Sequence, residues 1–286
     1  MDFIQDLLDY EFLRRAFITS VIVGIICGIV GSFIVLRGMA LMGDAISHAV
    51  LPGVAISYMM GINYFYGAVV VGILAALGIG VIDQNSRVKS DASIGIVFST
   101  ALALGIVLIT VAKSATNLEQ ILFGNVLAVR PSDMWLTIVI GIIVLVSVFL
   151  FYKELLISSF DETMAAAYGL KTRLIHYGIM VLLTLVTVAS LRTVGVILVV
   201  AMLITPASTA YLLTNKLSKM IGLAAFFGAL SSVIGLYISN MTDLPSGPII
   251  AMATAGLFLL AFLFAPKQGI VWRKLRANRR RASLGN

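Results

Sequence analysis

Nine apolar runs lie along the chain, near residues 16–36, 44–61, 64–82, 92–112, 134–152, 174–191, 193–213, 220–239 and 246–265. Short stretches between them hold most of the charge. A helix crosses the hydrocarbon layer in about 20 residues, and inside that layer every backbone polar group must be satisfied within the protein. The pattern therefore predicts an all-α fold, a polytopic membrane bundle of about nine transmembrane helices. The second run is the weakest, being short and carrying Asp44, His48 and Pro52. A count of eight, with one span fewer before residue 153, stays open because Arg14 and Arg15 flank the first run. A further stretch, NLEQILFGNVLAV at 117–129, is amphipathic and too short to span. It predicts a partial or re-entrant helix packed within the protein. Its Glu119 and Asn125 are candidates for an outer gate, or equally for capping and packing at the outer interface.

Composition narrows the class. Of the 286 residues, 60% are hydrophobic and 12% charged, about half the charged share of an ordinary globular domain, and the mean hydropathy is +1.07. So few charges cannot cover a soluble domain, so the reading is one membrane domain, 1–266, followed by a basic tail, 267–286. From Lys267 onward there are seven Lys or Arg and no acid, which accounts for the whole net charge of +7. Such a tail reads as a cytoplasmic anchor on anionic lipid. No folded basic domain accompanies it, which argues against nucleic acid as a partner. With the tail inside, counting back places 214–219, 153–173, 83–91 and 37–43 inside as well, with fifteen of the twenty Lys and Arg, and puts the N-terminus outside. The first dozen residues are acidic, unlike the basic start of a signal peptide. The lone Cys27 allows no intrachain disulfide. Glycines within the runs, as in GIICGIVG at 24–31 and GILAALGIG at 72–80, predict close helix packing.

The chemistry is sparse. There is no G-x-x-x-x-G-K-[ST] phosphate loop, no H-E-x-x-H and no G-x-S-x-G, which disfavours an intramembrane hydrolase. The candidate site is LMGDAISHAVLPG at 41–53. On a helix Asp44 and His48 share a face with Cβ atoms about 5–6 Å apart, a spacing at which one divalent cation can bridge carboxylate and imidazole. Three alternatives stay open: Asp44 as a helix cap after Gly43, Asp44 paired with Arg37, and His48 as a satisfied core histidine. In the loop KELLISSFDETMAAAYGLKTR at 153–173, Ser159 and Glu162 fit a capping box, and Gly169 can end the helix it starts. The expected helix, about 159–169, presents a small-residue face that suits a protein cleft better than lipid. Thr205-Pro206 predicts a kink, His176 an ordinary interfacial histidine, and Arg192-Thr193 a tight external turn.

The stretches VLRGMALMGDAISHAVLPG (35–53), ILFGNVLAV (121–129), SSFDETMAAAYGL (158–170), ITPASTAYLL (204–213) and FAPKQG (264–269), in that order, resemble the permease subunits of manganese/zinc-type metal-ion ABC transporters. The resemblance covers nearly the whole chain. It implies a homodimeric importer permease in a bacterial cell membrane, serving two copies of a separate ATPase and an extracellular or periplasmic metal-binding protein. It implies no permanently bound cofactor. The cargo would be a divalent metal, manganese first, then zinc or iron, passing Asp44 and His48. It also implies that Ser159, Phe160, Asp161, Glu162, Ala165, Ala166 and Gly169 belong to the coupling helix that fits the ATPase, which agrees with the missing phosphate loop. The competing reading is a stand-alone ion-coupled secondary transporter. Such transporters usually carry further intramembrane ionisable groups and inverted repeats, and none stands out here.

Overall fold

This computed structural model describes residues 3–112 and 126–265. Glu119, Asn125 and the basic tail lie outside the described residues, as does most of the expected partial helix at 117–129. Only its end is described, as a single 3-10 turn at Val126–Ala128.

Thirteen α-helices are described, and no strand is present among the described residues. A short α1 (Phe3–Asp9) precedes α2 (Glu11–Leu36), α3 (Ala40–Ala49), α4 (Leu51–Met59), α5 (Tyr64–Asn85) and α6 (Ser90–Val111). After the undescribed segment come α7 (Pro131–Leu150), α8 (Tyr152–Phe160), α9 (Glu162–Ala167), α10 (Thr172–Val194), α11 (Val196–Leu213), α12 (Leu217–Thr242) and α13 (Ser246–Phe264). Counting α3 and α4 as one broken span, nine segments among the described residues are long and apolar enough to cross a membrane. The chain is a multi-pass, all-α membrane protein. The spans run within a few residues of the apolar runs, because in lipid a helix ends where the polar residues begin.

The centre is α2, 72% buried along its most apolar stretch. It packs on α12, α11, α7 and α10, while α13 closes against α11 and α12. A second group, α3 to α6, joins the first through α10 and α11. With lipid as apolar as leucine, van der Waals fit at small residues holds such helices together. The glycines at 24–31 provide that fit. A Cβ added at Gly28 would stand 2.5 Å from the Ala224 carbonyl oxygen, and one at Gly24 would run into the Gly228 backbone. At the other extreme α6 is only 11% buried, so most of its surface has no partner among the described residues.

Two expectations change. Arg192 and Thr193 do not form a turn; α10 runs to Val194, and Gly195, with φ of +81°, makes the turn into α11. A positive φ of that kind suits glycine, which has no Cβ to clash. His176 lies near the start of its span, in the second turn of α10, with its side chain 9% exposed. The capping box is also wrong. Ser159 lies in the last turn of α8, and the short cytoplasmic-type helix is Glu162–Ala167. Asp161 caps it, in extended backbone, accepting from the Met164 N–H at 2.9 Å. An ionised carboxylate accepts more strongly than a serine hydroxyl, and the hydroxyls of Ser158 and Ser159 are taken by Arg37. Gly169 ends this segment as expected, with φ of +80° and Leu170 N–H donating to the Ala165 carbonyl at 3.1 Å. Through Pro206, α11 continues as one helix.

Candidate metal-passage site and the polar clusters at each end

The second span is two helices. α3 ends at Ala49, Val50 caps it, and α4 starts at Leu51 with Pro52 in its first turn. Proline has no N–H, so the His48 carbonyl lacks the donor that an unbroken helix would bring to it. Gly43 lets α3 sit close to α11, since a Cβ there would meet Leu203 Cδ1 at 2.9 Å. Ser47 turns its hydroxyl back onto the Gly43 carbonyl at 2.8 Å. What remains polar on α3 is Asp44 and His48.

Their geometry removes two of the open readings. α3 begins at Ala40, so Asp44 sits inside the helix and is not its cap. Arg37 bonds to serines, not to Asp44. His48 Nε2 stands 3.6 Å from Asp44 Oδ1, and the imidazole packs edge-on to Phe98 of α6 at 5.5 Å between ring centres. At 3.6 Å the pair is too wide for a good hydrogen bond. Two ligand atoms each about 2.0–2.2 Å from one ion stand roughly 3–3.7 Å apart when the angle between them is near 90–115°. The pair is therefore spaced as two adjacent ligands would be. The Asp44 side chain is 46% exposed and that of His48 21%. Among the described residues no group of three or more His, Cys, Asp or Glu side chains could hold a metal ion. A single chain thus offers two side-chain ligands here.

Further polar clusters lie at the two ends of the bundle. At one end, Arg37 leaves the tip of α2 and bonds to α8: Nε donates to Ser159 Oγ at 3.2 Å and Nη2 to Ser158 Oγ. Burial pulls the Arg37 pKa below its ordinary value, opposed by the nearby Glu162 carboxylate. Asp83 and Gln84 at the end of α5 share an open cleft of about 460 Å³ with Glu162, Ala166, Arg173 and His176. His176 Nε2 is buried there without a hydrogen-bond partner. At this end also, Asp161 holds its proton less readily than an ordinary aspartate, because its carboxylate accepts from the Thr163 hydroxyl and the Met164 N–H.

At the opposite end Arg192 of α10 pairs with Asp133 of α7 at 2.9 Å. It also donates to Asn63 Oδ1 at 3.2 Å and lies over the Tyr64 ring. Sequence reasoning missed this tie and the Arg37–serine contact. Partners 59 and more than 120 positions apart share no local pattern; the only hint was a charged residue at the tip of an apolar run.

The family model described as the ABC 3 transport family matches residues 9–265. The chain belongs to the ABC 3 transport family. It is similar to other family members along nearly their whole length. It is 65% identical to the manganese transport system membrane protein MntC of Listeria monocytogenes, over 96% of this chain and 99% of the relative. It is 53% identical to the manganese import system permease protein ScaB of Streptococcus gordonii, over 96% and 99%. Among solved structures it resembles PsaBC from Streptococcus pneumoniae in complex with Fab, with a TM-score of 0.86 and 53% identity over 96% of this chain and 98% of that one. The ABC 3 fold is thus the frame in which the Asp44–His48 pair sits.

Proposed function

We propose that this chain is the membrane permease of an ATP-driven importer for a divalent metal ion, manganese first, with zinc and iron as competitors. The observation that carries the ion is the Asp44–His48 pair, 3.6 Å apart on a broken membrane span. A charge buried within a membrane costs about 2.5–3.5 kcal/mol on insertion scales, so a half-exposed carboxylate there calls for water, a cation or a second protein surface. Two side-chain ligands, completed by water, carbonyl groups or a second copy, bind an ion weakly enough to release it. Oxygen with one imidazole nitrogen suits manganese and also admits zinc and iron.

The reading extends to the assembly. A second copy that covers the half-exposed pair turns it inward and doubles the ligand set. The names of the relatives favour manganese and the permease role. ATP is hydrolysed by a separate subunit, docked on Glu162–Ala167 and its flanks, Ser159 to Asp161 and Gly169. The end with Arg37, Arg173 and the C-terminus then faces the cytoplasm, in keeping with the excess of Lys and Arg there. The end with Asp133 and Arg192 faces the metal-binding protein, and Glu119 and Asn125 gate the entry.

The experiment is metal uptake by the complex reconstituted with its ATPase and binding protein, with manganese, zinc and iron in competition. Asp44→Asn and His48→Ala should each lower uptake by at least the roughly 10–100-fold that losing even a supporting group costs a metal site, with assembly intact. Normal uptake by the assembled double variant removes the pair from the path. Uptake that needs no ATPase favours the secondary transporter instead.

A further inference from the structure

Arg37 lies where the path for the ion and the docking segment meet. Its guanidinium uses one edge, Nε and Nη2, on the adjacent hydroxyls of Ser159 and Ser158, 122 and 121 positions away. These two serines close α8, and α9 follows after the single residue Asp161. On its other side Arg37 is tied to α3 by a tight turn. Gly38 takes φ of +69°. Met39 N–H donates to the Ile34 carbonyl at 3.0 Å, Gly38 N–H to Val35 at 3.2 Å, and Met42 N–H to Met39 at 3.0 Å. With its ends fixed this way the turn has little freedom. A displacement of Ser158 and Ser159 is passed through Arg37 to the start of α3, and Asp44 lies one turn further on. Among the described residues the main contacts of α8 are with α2, α10 and its neighbours α7 and α9, so the Arg37–serine bonds are a polar tie between α8 and the turn that leads into α3.

We propose that Arg37 is a positioning residue that couples movement of the α8–α9 segment to the Asp44–His48 helix, through its two-pronged bond to Ser158 and Ser159. The inference rests on the proposed role of α9 as the ATPase dock. A planar guanidinium suits the task because it holds two acceptors at once in a fixed plane, whereas an ammonium on a flexible stem does not. The two hydroxyls are neutral, so the bond orients the side chain without neutralising it. Arg37 stays charged and keeps its attraction to Glu162, the first residue of α9.

The test uses the whole complex, permease with ATPase and binding protein, in proteoliposomes, and reads metal ions transported per ATP hydrolysed. Arg37→Ala should keep the ATPase subunit bound and its hydrolysis within about two-fold, while the transport ratio falls at least ten-fold. Arg37→Lys should fall between the two, since one ammonium replaces a two-pronged contact. Ser158→Ala with Ser159→Ala, which leaves the arginine in place, should lower the ratio several-fold and guards against a misfolded Arg37 variant. A wild-type ratio in the serine double variant, or transport and hydrolysis falling in equal proportion in Arg37→Ala, overturns the proposal. If the unmodified permease neither retains the ATPase nor transports metal with ATP, the underlying function is wrong, and that failure is visible before any variant is made.

Discussion

Gly28 offers a direct measure of how this bundle is held together. Replacing it with alanine adds one methyl group at the α2–α12 crossing. That methyl would lie 2.5 Å from the Ala224 carbonyl oxygen, 2.7 Å from its carbon and 3.0 Å from the Ala225 nitrogen. All three are backbone atoms, so no rotamer change relieves the clash, and the helices must part by about 1 Å to restore ordinary contact. Inserting a methyl group into a well-packed core costs typically 1–3 kcal/mol. Here the upper half of that range applies, because α2 is the most buried of the spans and the separation also loosens the neighbouring Gly24–Gly228 contact at the same crossing. Alanine's better helix propensity returns at most about 1 kcal/mol. The net expectation is a loss of about 1–2 kcal/mol, near 2–4 °C in melting temperature for each kcal/mol by soluble-protein scaling. The assay is thermal unfolding of the detergent-solubilised protein, with Gly222→Ala as control. Gly222 lies on the same α12, and a Cβ there meets nothing within 4 Å. Equal melting temperatures for Gly28→Ala and Gly222→Ala would refute the reasoning, since the two differ only in what the methyl group meets.

Asp133→Ala takes the carboxylate from Arg192, whose side chain is 19% exposed, and leaves it the Asn63 oxygen and the Tyr64 ring. Removing one partner of a buried pair costs about 3–5 kcal/mol, and the residual exposure puts this case near 3 kcal/mol. Thermal unfolding should show that loss, and Asp133→Arg with Arg192→Asp should recover part of it. Asp161→Ala should fray α9, seen as faster proteolysis in 160–168, while Asp161→Asn or Asp161→Ser keeps the cap. The lowered pKa of Asp161 sets the sign with pH: the cap is fully present above the ordinary carboxylate range and is lost as pH falls through the lowered value. Protection of α9 should therefore be flat across neutral pH and fall only in strong acid.

The spans were legible in the sequence because lipid imposes a one-dimensional rule: twenty apolar residues, then charge. So was the Asp44–His48 pair, since a spacing of four on a helix is itself a distance, and so was Gly169, whose place after Ala165–Ala167 marks a helix end. The glycines of 24–31 announced close packing but not against what. Which cap starts α9 was misread because a local pattern, Ser159 with Glu162, was weighed without the competitor that occupies those serines, an arginine more than a hundred residues earlier. The Arg192–Asp133 tie and the burial of His176 were beyond reach for the same reason. Each depends on which helix tips the packing of α2, α5, α7 and α10 brings to one end. In a membrane bundle the apolar residues that fix span positions are nearly interchangeable, so they carry little information about which helices become neighbours. That choice is made by close fit at small residues and by a few polar contacts between helix ends, and both exist only once the helices have packed.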